Sequence, residues 1–213
     1  MRVVAVVIGR VLALYVRLVA ATSRITGSVT QEQVVLAIWH EYNLAASVVA
    51  WRSRRRLRHV SFSTQTFRGD IMNSLLAGMG AGSVPLPSPD QKGEATRLSR
   101  DLARLGREGA SLVVSPDGPT GPYREAKPGA LIVARESGIP LQPWAVSARP
   151  SLRLRGRWDR HIVPLPFSRI HLEAAEPIPV APREPLRPLL AQLQEALDAV
   201  AARADARQRG RRG

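Results

Sequence analysis

The chain has 213 residues, 45% of them hydrophobic, no cysteine and a formal net charge of +14. That length suits one domain better than two, and the lack of cysteine excludes disulfides and thiolate metal sites. The positive charge is nearly all arginine, since Lys92 and Lys127 are the only lysines, and it suits an anionic partner: nucleic acid, anionic lipid or an acidic carrier protein.

Residues 2–26 open the chain as RVVAVVIGRVLALYVRLVAATSRIT. On a helix at about 100° per residue, Arg2, Arg10, Arg17 and Arg24 share one narrow arc, and almost everything else up to Ala21 is apolar. This pattern predicts an amphipathic helix lying in a membrane interface, its arginines at lipid head groups. Three readings compete. Arg10 and Arg17 interrupt the apolar run that a secretory signal needs. Two central arginines are expensive in a transmembrane span. The third reading is a helix packed on its own domain with its arginines in water.

Strand candidates follow at 34–39 (VVLAIW, ending at His40), 59–64, 110–115, 139–148 and 168–174, with a short extended piece at 83–87. Between them, 41–56, 68–80, 93–109 and 128–138 read as helices, several stopping at glycine, and 185–206 reads as a closing helix. Strands alternating with helices predict a single α/β domain over 28–206, with a mostly parallel central sheet flanked by helices. It would sit behind the amphipathic helix of 1–27 and before a basic tail at 207–213; the arginine-rich stretch from Arg203 to Gly213 reads as disordered. In such sheets, sites gather at the carboxyl ends of strands.

His40 ends the first of these strands and is the candidate base. His59, His161 and His171 fall at less favourable starts or middles of strands. No G-x-S-x-G elbow, phosphate-binding P-loop or H-E-x-x-H helix is present, and no metal site is supported. The stretch SPDGPTGPYREAKPG, Ser115 to Gly129, follows a strand and is crowded with turn residues. Asp117 sits in its tight turn, and Arg124 and Lys127 add positive charge. The stretch either binds a phosphate, or orients the histidine through Asp117, or is only a demanding connection.

Together these residues resemble the lysophospholipid acyltransferase superfamily of glycerolipid acyltransferases. The nearest pattern is a bacterial branch first labelled a domain of unknown function, with an S-P-D-G-P-x-G-P loop. The resemblance runs through Trp39-His40, SPDGPTGP (115–122), KPG (127–129), GIPLQPWAVSA (138–148) and WDRHIVPLPFSR (158–169), and covers roughly residues 34–178. It implies transfer of a fatty acyl group from coenzyme A or acyl carrier protein, as co-substrate and with no bound cofactor, to a hydroxyl of a lysophospholipid or related lipid. It implies His40 as general base and Ser115 and Gly118 in the acceptor-binding motif, and Arg68, Arg124 and Lys127 are the further candidate substrate-binding residues. The expected setting is the cytoplasmic face of the inner membrane, against anionic lipids.

The departures concern the orientation of the base and the binding of the acceptor. The family's aspartate, five residues after the histidine, is Ala45 here, and Asn43 is the nearest polar residue. Asp117 is the candidate orienter in its place. Arg68 and Asp70 keep part of one arginine motif, and a second is missing near Pro85 to Ser88. Two alternatives stand beside the enzyme: a catalytically inactive lipid-binding relative, and a nucleic-acid-binding protein. Aromatics make up only 5% of the chain and do not interleave with the basic runs, which argues against nucleic acid.

Overall fold

The computed structural model describes residues 1–27, 32–54, 58–86 and 94–209. Part of the basic run 52–58, most of the stretch 84–94 where an arginine motif was expected, and residues 210–213 lie outside the described residues. The elements run α1 (Arg2–Thr22), β1 (Arg24–Thr26), β2 (Val35–Ile38), a short 3-10 turn (His40–Tyr42), α2 (Asn43–Ser53), β3 (Arg58–Ser63) and α3 (Phe67–Gly78). There follow β4 (Gly82–Pro85), α4 (Glu94–Arg107), β5 (Ala110–Val114), α5 (Gly129–Ser137), β6 (Leu141–Arg153), β7 (Ile162–Ala174) and α6 (Leu186–Arg209).

The chain forms a single α/β domain around one seven-stranded sheet of order β1-β7-β6-β2-β5-β3-β4. From β6 to β4 all neighbours are parallel, β7 runs antiparallel to β6, and β1 is parallel to β7. β2 is apolar along its whole length and buried throughout, as a central strand covered on both faces must be. Helices α1, α2 and α3 pack together on one face, and α4, α5 and α6 on the other. Local signals set the helix ends: Thr66 caps α3 by accepting from the Gly69 N–H, and Gly138 closes α5 in the left-handed conformation at φ 70°.

α1 is long and apolar enough to cross a membrane by length and composition. It uses one face for the protein. Ala5, Gly9, Ala13, Val16 and Ala20 are buried, and small residues let α3 approach closely. A Cβ on Gly9 would lie 2.5 Å from the Ile71 carbonyl oxygen and from the Ser74 Cβ, so no larger residue fits there. The opposite face leaves Val4, Val7, Val11, Leu14 and Leu18 exposed, Leu14 at 62%.

This divides the expected arginine stripe. Arg2 and Arg10 stay exposed on the helix. The Arg17 guanidinium lies 4.6 Å from the centroid of the Trp51 ring and donates to the Gly78 carbonyl. Arg54 stacks on the same tryptophan at 3.5 Å. Arg24 is not helical at all; it sits in β1. The reason is geometric: the arginine arc borders the buried face, so Arg17 meets Trp51 and Gly78 rather than a head group, and the helix ends before Arg24.

Three further differences from the sequence reading stand out. β6 and β7 are each 13 residues long, far beyond the predicted 139–148 and 168–174. β1 is an additional strand. The closing helix continues to Arg209, so the expected disorder from Arg203 is corrected for residues 203–209. Glu173 on β7 holds Arg203 and Arg207, and Gln208 hydrogen-bonds the Ala148 backbone on β6, which ties the last turns down.

Candidate active site

β2 and β5 are adjacent and parallel, with Ala37 beside Val114. Their carboxyl ends therefore deliver His40 and Asp117 to the same edge of the sheet. The two meet directly: His40 Nδ1 lies 2.6 Å from Asp117 Oδ1. The His40 backbone N–H also donates to both carboxylate oxygens, each at 3.3 Å. Asp117 is fully buried, and His40 is partly exposed. A carboxylate only accepts, so Nδ1 carries the proton, and the neutral imidazole in this tautomer keeps the lone pair on Nε2.

The loop after β5 is built to hold that aspartate. The Gly118 N–H donates to the Ser115 carbonyl at 3.1 Å, closing the turn. The Lys127 N–H donates to the Pro116 carbonyl at 2.9 Å, pinning the far end of the loop against its start. The Lys127 ammonium donates to the Gly121 carbonyl, and its side chain runs beside Gly118. The Ser115 hydroxyl donates to Asn43 Oδ1 at 3.1 Å. Gly121 has φ 76°, and a Cβ there would lie 2.7 Å from the Trp158 ring, so glycine is demanded twice over.

Trp158 is one of three residues that sequence reasoning did not assign to the site. β6 and β7 run on past the sheet edge, and their connection brings Trp158, Asp159 and His161 alongside His40. The Trp158 and His40 ring centroids are 5.3 Å apart at 60°. Arg157 forms a two-pronged pair with Asp159 at 2.9 and 2.8 Å. Burial raises the Asp159 carboxyl, but its hydrogen bonds and proximity to Arg157 more than offset this and hold it below the usual range. Burial pushes His161 below the ordinary histidine value, with Asp159 only 3.5 Å from its Nδ1. WDRH was visible as a motif, but nothing local in it says that it reaches a histidine some 120 positions earlier.

The predicted binding residues separate. Ser115, Gly118 and Lys127 belong to the loop that carries Asp117. Arg68 is exposed on the first turn of α3, after the carboxyl end of β3, and among the described residues no hydrogen bond or ion pair engages it. Arg124 is turned to another task. Its guanidinium bonds the carboxylate of Glu41, the Tyr42 hydroxyl at 2.8 Å and Asp205 at 3.0 Å. Glu41 is fully buried and also accepts from Arg153 at 2.9 Å and from the Tyr123 hydroxyl at 3.0 Å. Arg124 therefore locks the loop to α6 and to the turn after His40. Ala45, five residues after His40, is buried in α2 and faces the core. The acid on His40 comes from the loop after the neighbouring strand β5.

No protein-family model matches the chain. An uncharacterized protein of Rickettsia prowazekii (strain Madrid E) is similar to it, at 27% identity over 148 residues. That match takes in 70% of this chain and 65% of the Rickettsia protein, somewhat under two thirds of that protein's length.

Proposed function

We propose that the chain is a membrane-associated acyltransferase. It moves a fatty acyl group from an acyl thioester to a hydroxyl of a lysophospholipid or related lipid, with His40 as general base. The observation that carries this reading is the buried Asp117 carboxylate on His40 Nδ1, which frees Nε2 as an acceptor. Nε2 takes the proton of the acceptor hydroxyl as its oxygen attacks the thioester carbonyl. The tetrahedral intermediate collapses with cleavage of the C–S bond, and the departing thiolate receives the proton back from the imidazolium. An ester and a free thiol result. Asp117 fixes the imidazole tautomer and stabilises its cation, as an acid does in a hydrolase triad.

The outward apolar face of α1 supports a bilayer as the place of work. The helix packs lengthwise on α3 rather than standing free, which favours lying in the interface over spanning. Arg2 lines a cavity of about 410 Å³ together with Phe67 and Asp70 at the start of α3, the carboxyl edge that also holds His40. Anionic lipids of the inner membrane's cytoplasmic face fit the exposed Arg2 and Arg10. The donor is coenzyme A-bound or carrier-bound acyl thioester, and no bound cofactor enters the reaction. The commitment of Arg124 to Glu41 favours a second reading, an inactive lipid-binding relative, because it engages one of the expected substrate-binding residues in a structural ion pair.

The test offers labelled acyl-coenzyme A and acyl-carrier donors with a panel of lysophospholipids to wild type and His40→Ala. Labelled ester from wild type alone is expected. Ester from neither, with both folded and bound to vesicles, selects the inactive reading.

A further inference from the structure

We infer that the chain has a second anion site, away from His40, that takes a ligand carrying two or more phosphate groups. It lies at the β1–β7–β6 side of the sheet, on the face that α6 covers. β1 pairs Arg24 with Arg169 of β7, and β6 pairs Arg149 with the same Arg169. Directly paired residues project to the same face. Three guanidinium side chains therefore stand in one row across three adjacent strands, over roughly 10 Å at ordinary strand spacing. The next row on that face is Thr26, His171 and Ser147. A cavity of about 910 Å³ opens over both rows, and none of its lining residues belongs to the His40 site.

The charge of the row is unbalanced. Glu173 is occupied by Arg203, Arg207 and His171. Among the described residues no carboxylate pairs with Arg24, Arg149 or Arg169; Arg149 makes a 3.3 Å bond to the Gln208 carbonyl. Like charges directly opposite one another destabilise a sheet. Three arginines in register repel one another, and an anion seated among them relieves that repulsion.

The chemistry of the anion follows from the donors. Guanidinium forks match the paired oxygens of phosphate and bind them two-pronged. A single phosphate spans one or two of the three, whereas a diphosphate or a bisphosphate spans the row. Thr26 and Ser147 add hydroxyls beside it. The cavity volume is that of a small-molecule site. Two sources supply such a ligand: a soluble phosphate ester of nucleotide type, or a phosphorylated lipid head group.

Calorimetric titration of the full chain with inorganic diphosphate, at about physiological ionic strength to suppress non-specific attraction, tests the site. Saturable binding is expected, and each of Arg24→Gln, Arg149→Gln and Arg169→Gln is expected to weaken it about tenfold or more. Arg187→Gln, a distant exposed substitution, and His40→Ala are expected to leave it unchanged. Thermal unfolding without ligand shows that each variant is folded; Arg169→Gln is expected to melt no lower than wild type. Two further arms separate the sources. Coenzyme A binding that depends on the row indicates a soluble ligand, and cardiolipin-vesicle binding that depends on it indicates a head group. Equal behaviour of wild type and all three row variants in every arm, or no binding in any arm, overturns the inference. Because His40→Ala leaves the row intact, failure of this site and failure of the acyltransferase reading give different results.

Discussion

Two arginine clusters in this molecule differ in one respect, the count of carboxylates beside them. In the first, Arg124 and Arg153 share Glu41 and Asp205. The charges balance, the acid at the centre has no solvent exposure, and the cluster joins the turn after β2, the loop after β5, the end of β6 and α6. In the second, Arg24, Arg149 and Arg169 stand in register with no carboxylate between them. A balanced cluster is a brace, and an unbalanced one is a receptor. Sequence alone does not separate the two clusters.

The sharpest way to break this contrast is Glu41→Ala. It leaves two partly buried guanidiniums with Asp205 as their one remaining carboxylate, and a loss of about 3–5 kcal/mol of stability is expected. Denaturant titration measures it, and a loss near zero would mean that water already screens the pair. Opposite behaviour is expected in the row: without ligand and at low salt, Arg169→Gln gains about 0.2–1 kcal/mol by relieving cross-strand repulsion. High salt should erase that gain. Destabilisation by Arg169→Gln instead would turn the row into a second brace.

A gentler contrast concerns pH. The arginines stay charged, whereas burial holds His59 and His161 below the ordinary histidine value. As pH falls, the unfolded chain takes up these protons before the folded one. Stability is therefore intact above the unfolded value of about 6.5 and declines as pH drops below it. Urea midpoints from about pH 7.5 down to about pH 5 should fall, and replacing both histidines by glutamine should flatten the slope. An unchanged slope would assign the acid sensitivity to other groups.

Much of this architecture was legible in the sequence. VVLAIW is uniformly apolar and ASLVV is interrupted only by Ser111, so both could be read as buried strands, and each is followed by polar residues that the sheet edge then brings together. The long β6–β7 pair was not legible. Arg149-Pro150 looks like a stop after 148, and Pro164 and Pro166 argue against a strand where β7 in fact begins. β1 is three residues long, too short for any periodicity. The true role of Arg124 was hidden because its partners, Glu41 and Asp205, lie more than 80 positions away on either side. The same holds for the end of α6, whose arginines look like a solvated tail until Glu173 is placed beside them. Residue type announced the chemistry of these groups, and only the topology showed which charges were already matched.

The central claim is that Asp117 makes His40 a base by holding its Nδ1 proton. It is tested most directly by the acyl-transfer rate of Asp117→Asn, in protein shown to fold as stably as wild type. The asparagine keeps the shape but presents no carboxylate to the imidazole, and in a comparable triad such a change lowers turnover about 10⁴-fold. A fall of that order, with vesicle binding unchanged, is the expected result. Turnover equal to wild type would contradict the account and remove the pair from the mechanism.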